Sequence, residues 1–131
     1  MYSGQWDSPD GIYSVTIEDD DRVAYAYISQ ENQIVGDVWL YNVADTPTEP
    51  EWDDRDKLPF LNPFQFALNN EPGRIRAEQD VEIDWHMEDP VAVVVRVHGF
   101  DWAILRPGAK PGWCRLAKKS GPLANRLDEF Q

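Results

Sequence analysis

Hydrophobic and polar residues alternate most regularly in the second half of the chain, where the pattern predicts a β-hairpin. Val81, Ile83 and Trp85 are separated by polar residues, which is the period-two pattern of a half-buried strand. A turn at residues 88–90 leads into residues 91–97, which are largely apolar on both faces and typical of a central strand. One register pairs apolar residues across the turn: Trp85 with Val93, Ile83 with Val95, and Val81 with Val97. Because a slip of one residue would break every pair, we expect this hairpin in the middle of an antiparallel sheet.

A second alternating stretch, near the N-terminus, predicts another hairpin. Its apolar positions lie on either side of three consecutive aspartates, residues 19–21. We expect Ile17 to lie opposite Val23, with six apolar positions on one face: Tyr13, Val15, Ile17, Val23, Tyr25 and Tyr27. Residues 1–10 are expected to form a loosely held lead-in. Further strands are expected at residues 34–43, 102–106 and 113–117.

The C-terminal residues have the spacing of a short helix. Leu123, Leu127 and Phe130 lie at i, i+4 and i+7, and Ser120 is a suitable N-cap. Together the patterns predict one domain over residues 1–131 with a mainly β fold. We expect an antiparallel sheet or sandwich of six to eight strands, a long proline-rich acidic loop and a short C-terminal helix.

Residues 42–63 differ in composition from the rest of the chain, because they are rich in proline and acidic residues. Four prolines exclude a regular helix or a central strand, and six acidic residues face only two bases, Arg55 and Lys57. Large apolar residues such as Trp52, Phe60 and Leu61 argue against disorder, because such side chains need a surface to pack on. We therefore expect an ordered loop that displays carboxylates around Trp52, although Trp52 alternatively folds inward to hold the loop.

The net charge of the chain excludes some classes of binding partner. The formal net charge is −12, and residues 1–65 hold 14 acidic against 3 basic side chains. Nucleic acids and anionic lipids require a basic surface, so neither is an expected partner. Six bases fall between residues 106 and 126 without an acid, and we expect them to pack near the acidic half. The chain has no apolar run long enough to cross a bilayer and no secretory pattern at its start, so we expect a cytoplasmic protein.

These features predict a non-enzymatic binding protein with a basic protein partner and without cofactor or metal. The carboxylates would attract a basic partner and block its cationic cleft, and the ring of Trp52 would fill a pocket. The alternative is that the aspartates of residues 19–21 only form a solvated turn. The expected partner-binding residues are Asp19, Asp20, Asp21, Asp45, Glu49, Glu51, Trp52, Asp53, Asp54 and Asp56.

Small acidic domains of this kind, with few cysteines, resemble bacterial immunity proteins as a class. The resemblance lies in size and composition. It implies a protein that binds and blocks a toxin domain with a positively charged active site.

Two other functions remain open at this stage. Asp84, His86 and Glu88 alternate and would share a solvent face, which allows a small enzyme with a carboxylate and histidine site. Trp39 and Tyr41 are either covered by the loop that follows them or form the contact surface of an adaptor subunit. The single cysteine, Cys114, has no activating base near it in sequence and is expected to be a buried structural residue.

Overall fold

The computed structural model describes residues 1–68 and 73–131. Over these residues the chain forms one sheet in the order β1-β2-β3-β4 and a second in the order β5-β6-β7-β8-β9. Neighbouring strands are antiparallel, except for β8 and β9, which are parallel. The strands are β1 (Tyr2–Asp7), β2 (Tyr13–Asp19), β3 (Val23–Gln30), β4 (Gln33–Asn42), β5 (Val81–His86), β6 (Ala92–Val97), β7 (Phe100–Leu105), β8 (Trp113–Cys114) and β9 (Asn125–Arg126). The mainly β prediction is confirmed, but the nine strands of the described residues exceed the expected six to eight.

The central hairpin has the register that its sequence predicts. Trp85 pairs with Val93, Ile83 with Val95, and Val81 with Val97. On the opposite face Glu82 lies across from Arg96, and the two side chains form an ion pair of 3.1 Å. β6 lies between β5 and β7, in the central position expected for it.

The predicted register of the first hairpin is wrong by three residues. Ile17 pairs with Ala26 instead of Val23, and Val15 pairs with Ile28. The core face of β3 therefore carries alanine and isoleucine, while Tyr25 and Tyr27 lie on the other face. Tyr25 is nevertheless buried, because the chain that follows β4 covers that face too. A strand with two covered faces has no single dry side, so alternation alone does not fix its register.

The N-terminal residues form a strand instead of a loose lead-in. β1 pairs along its whole length with β2, from Tyr2 opposite Asp19 to Asp7 opposite Ser14. The side chains of Tyr2 and Trp6 pack against the core. These two aromatic residues explain why the segment is held.

The two sheets are joined at β4. The indole of Trp102 on β7 donates to the carbonyl oxygen of Leu40 at 3.1 Å, and the thiol of Cys114 lies 3.4 Å from the same oxygen. The free edge of β4 is covered by residues 107–112 through three backbone hydrogen bonds, including Gly112 N to Asp37 O at 2.7 Å. A Cβ atom at Gly112 would lie 2.4 Å from the carbonyl oxygen of Ile104, so the close approach requires glycine.

The predicted C-terminal helix is absent from the described residues, which have only a 3₁₀ turn at Leu127–Glu129 there. The preceding residues are held in an extended conformation by backbone pairing. Trp39 N donates to Leu123 O at 3.0 Å, and Asn125 N donates to Gly112 O at 2.8 Å. Phe130 packs edge-on against Trp113, with 5.0 Å between the ring centroids. The residues with helical spacing are therefore held separately, Leu123 beside β4 and Phe130 on β8. No helix in the described ranges has the length and apolar character needed to cross a membrane.

Candidate functional site

Residues 42–63, called the acidic loop from here on, cover the face of the first sheet that carries Tyr25 and Trp39. The hydroxyl of Tyr25 donates to the carbonyl of Phe60 at 2.7 Å. The amide of Asn42 joins the two ends of the loop, because its nitrogen donates to Asn62 O at 2.8 Å and its oxygen accepts from Asn62 N at 3.0 Å. The loop is therefore tied to the sheet and closed on itself.

Burial decides between the two interpretations of the aromatic residues on β4. Trp39 is 1% exposed, and its indole donates to the side chain of Asn42 at 2.9 Å. Tyr41 lies on the opposite face and is buried as well. Neither ring is available as the contact surface of an adaptor.

Arg22, the residue before β3, connects the acidic loop to the turn of residues 19–21, called the aspartate turn from here on. Its guanidinium donates to the carbonyl oxygens of Lys57 at 3.0 Å and Pro59 at 2.8 Å, and it forms an ion pair with Glu51. The carbonyl of Arg22 accepts from the backbone of Val43 and Ala44 at 2.8 Å. Two acidic segments that are separate in the sequence are therefore neighbours in the fold.

Glu51 holds the loop together and is not displayed by it. Its side chain is only 10% exposed and binds Arg22 on one side. The same carboxylate oxygen accepts from the backbone of Leu61 at 2.8 Å. Because both contacts are internal, Glu51 is not available to a partner, and its prediction as a partner-binding residue is corrected.

Asp19 is fully buried, with 0% of its surface exposed, so its prediction as a partner-binding residue is corrected as well. One carboxylate oxygen accepts from the hydroxyl of Tyr41 at 2.7 Å and from Arg74 Nε at 3.1 Å. The other accepts from Arg74 Nη2 at 3.0 Å. A buried carboxylate needs such partners, and these contacts provide them. Burial, and then the bond to Asp19, raises the pKa of Tyr41 well above its ordinary value, so the hydroxyl keeps its proton.

Asp20 and Asp21 lie at the surface of the turn with different surroundings. Asp20 accepts from the backbone of Arg22 and of Val23, both at 2.9 Å, which fixes the turn. Asp21 contacts the amino group of Met1 at 2.6 Å and also binds Arg74. Hydrogen bonds from these two cations, the amino group first, lower the pKa of Asp21 below its ordinary range. The charge of Asp21 is therefore largely offset, whereas Asp20 faces solvent.

The remaining predicted carboxylates are exposed on the loop. Asp54 caps a 3₁₀ turn at Arg55–Lys57 by accepting from the backbone of Asp56 at 3.0 Å. Together with Asp20, the exposed residues define the acidic surface, and none of them takes part in a salt bridge with another described residue. The acidic surface consists of Asp20, Asp45, Glu49, Asp53, Asp54 and Asp56.

Trp52 combines features of the two predicted roles, exposure beside the carboxylates and inward packing that holds the loop. Its ring packs on Phe66, with 6.0 Å between the centroids and a tilt of 46°. The residue is half-buried, so part of its surface still faces solvent. Trp52 therefore anchors the loop and remains accessible beside the carboxylates.

Comparison with family models, curated proteins and solved structures gives no match.

The alternative enzyme site on the central hairpin is built around an arginine. His86 Nε2 lies 3.3 Å from a carboxylate oxygen of Asp84, and Arg96 lies 3.2 Å from the same oxygen. Arg96 also pairs with Glu82 and Asp101, at 3.1 and 2.7 Å. Within residues 1–68 and 73–131, no group of three or more histidine, cysteine or acidic side chains could hold a metal ion. The ion pairs give Asp84 a structural role, and the enzyme reading stays an untested prediction.

Cys114 is completely buried. Burial raises the pKa of its thiol to about 12, so the thiolate needed for nucleophilic attack is scarce at neutral pH.

Asp37 on β4 gives a prediction for the pH dependence of stability. Burial is the main influence on this carboxyl and raises its pKa, while Lys110 acts in the opposite direction. The folded protein therefore disfavours the ionised form, and stability is lost as the pH rises from the ordinary aspartate range, about 4, towards the higher folded pKa. We expect Asp37→Asn to raise the melting temperature at pH 7.

Thermal unfolding at several pH values tests this expectation. The gain from Asp37→Asn should shrink towards zero at about pH 3, where the aspartate is protonated in both states. Asp7→Asn on the exposed face of β1 is the control and should change little at either pH. A lower melting temperature for Asp37→Asn at neutral pH would contradict the assigned sign.

Proposed function

We propose that this protein is a small cytoplasmic binding protein that docks on a basic protein partner through its acidic surface. Its role would be that of an immunity protein that neutralises a toxin with a cationic active site. The observation that carries this proposal is the contact of Arg22 with the acidic loop, which holds the loop next to the aspartate turn.

The fixed position of the loop favours binding. Tyr25, Arg22 and Asn42 hold its backbone through hydrogen bonds, so little conformational entropy remains to be lost when a partner docks. A flexible fringe of the same charge would have to be ordered first. Pre-organisation therefore supports a defined contact surface.

The charges of the surface are available to a partner. Its six carboxylates form no salt bridge with the rest of the described chain, so docking does not require an internal cation to be displaced. Their shared sign would speed the approach of a cationic protein and would repel acidic competitors. Such steering weakens as salt increases.

Trp52 supplies the apolar part of the proposed contact. Packing on Phe66 restricts the ring, which is partly exposed, and Asp53 and Asp54 directly follow it in the chain. Aromatic side chains with little freedom are the residues that most often dominate binding energy.

The test is a capture experiment with a charge-neutralised surface. The surface variant carries Asp45→Asn, Glu49→Gln, Asp53→Asn and Asp56→Asn, and it leaves the capping residue Asp54 in place. Immobilised wild type should enrich basic proteins from a lysate of its source cells at about 0.05 M salt and release them at about 0.5 M. The surface variant should lose most of this enrichment. A partner bound in this way should also lose its toxic activity when the wild type is added.

A matched control separates a shaped surface from bulk charge. The control variant carries Asp7→Asn, Glu31→Gln, Glu78→Gln and Glu88→Gln, four exposed acids outside the acidic surface, and has the same net charge as the surface variant. It should capture the same proteins as wild type. Equal loss in the two variants, or no excess of basic proteins with wild type, would refute the proposal.

A further inference from the structure

A second surface, with the opposite charge, lies at the C-terminal end of the second sheet. It is a groove of about 440 Å³, called the basic groove from here on. Its charged lining consists of Arg115, Lys118, Arg126 and Asp128, and its apolar walls include Leu68 and Leu127.

Backbone pairing fixes the walls of the basic groove. Leu68 N donates to Leu116 O at 2.8 Å, and Lys118 N donates to Phe66 O at 2.8 Å. Arg126 lies on β9, opposite Cys114 of β8. The cations therefore project from chain segments that are held to one another.

Aromatic rings, and not carboxylates, hold two of the cations. The guanidinium of Arg115 lies 4.7 Å from the centroid of Phe100, and the ammonium of Lys118 lies 4.6 Å from that of Phe64. Cation–π contact restrains a charged group without cancelling its charge. Over the described ranges, the six bases of residues 106–126 form one salt bridge, between Arg126 and Asp128 at 2.6 Å. No ion pair joins these bases to the acidic half within the described residues, but Lys118 packs on Phe64 of that half, as the expected proximity requires.

We propose that the basic groove binds a small organic phosphate monoester. Three cations and one carboxylate line it, which leaves two positive charges, and a phosphate monoester carries about −2 at neutral pH. Arg115 offers a planar pair of donors to phosphate oxygens, and Lys118 adds a compact point charge.

The size and walls of the groove define the rest of the ligand. A volume of about 440 Å³ lies within the range of small-molecule sites. Leu68 and Leu127 provide apolar surface for the body that carries the phosphate. A long polyanion such as nucleic acid is a poor ligand, because the chain as a whole carries −12 and repels each added charge.

Phenyl phosphate is the probe for this proposal. Titration followed by amide NMR shifts should give saturable binding, with a dissociation constant of about 1 mM or tighter and the largest shifts at residues 115–118 and 126–128. Lys118→Gln and Arg115→Gln should each weaken binding about tenfold, which corresponds to one charge-assisted contact. The control Lys110→Gln removes an exposed cation outside the groove and should stay within about twofold of wild type.

Other ligands test the two parts of the proposed chemistry. Inorganic phosphate lacks the apolar body and benzoate lacks the second charge, so both should bind more weakly than phenyl phosphate. The surface variant of the acidic loop should bind phenyl phosphate at least as well as wild type, because its substitutions lie outside the groove. No saturation, equal weakening by Lys110→Gln and Lys118→Gln, or tighter binding of an RNA oligonucleotide would overturn the proposal.

Discussion

Replacement of Asp19 by asparagine should lower the free energy of unfolding by about 3 kcal/mol. The substitution keeps the size of the side chain but removes its charge. Arg74 then loses the buried half of its ion pair, and Tyr41 loses a charged acceptor for its hydroxyl. Because Asp19 is fully buried, water cannot take over these contacts. Urea unfolding at pH 7 measures the difference.

Glu18→Gln is the matched control for this experiment. Glu18 precedes Asp19 on β2, but it is exposed on the opposite face, so its neutralisation should change stability by less than about 0.5 kcal/mol. If the two variants unfold at the same urea concentration, the buried network does not stabilise the fold as described.

The second large effect is expected for Arg22→Gln, which should cost about 2 kcal/mol and loosen the acidic loop. Arg22 supplies two hydrogen bonds to loop carbonyls and the ion pair with Glu51. Without the guanidinium, the carboxylate of Glu51 remains in a largely buried position, where Leu61 N is its one remaining partner among the described residues. Hydrogen exchange at the Leu61 amide, together with urea unfolding, measures both consequences.

Arg55→Gln serves as the control, because Arg55 is an exposed base of the same loop. It should leave the exchange rate of Leu61 and the stability close to wild type. Unchanged exchange in Arg22→Gln would mean that the loop is held without this residue. Under the proposed function, Arg22→Gln should also weaken capture of basic proteins, since the partner would then have to order the loop.

The contrast between the two hairpins explains how far the fold follows from the sequence. The hairpin of β5 and β6 has one register in which apolar residues meet, and Trp85 lies opposite Val93 as predicted. In the first hairpin β3 is covered on both faces: Ala26 and Ile28 face the core where the pattern predicts Tyr25, and Tyr25 is buried on the opposite face. Local pattern determines register only where one face is wet.

The acidic surface was predictable in composition but not in detail. Seven of the nine predicted carboxylates are exposed, because polar residues of connecting segments usually lie on the protein surface. Asp19 lies inside because Arg74, which is 55 residues away in sequence, is its partner. Glu51 is held by Arg22 across 29 residues. No local signal marks such distant pairs.

The C-terminal segment illustrates a second limit. Leu127 and Phe130 have helical spacing, yet Phe130 packs on Trp113 while Asn125 pairs with the backbone of Gly112. Tertiary contacts override a weak helical preference in a short segment.

The shared carbonyl of Leu40 bears on how the molecule comes apart. Trp102 and Cys114 of one sheet both reach this single oxygen of the other, in the dry centre of the protein. Separation of the two sheets would break both hydrogen bonds while the oxygen and the indole are still buried, which costs free energy. We therefore expect the two sheets to unfold together in a single two-state transition, without an intermediate in which one sheet is folded and the other is not.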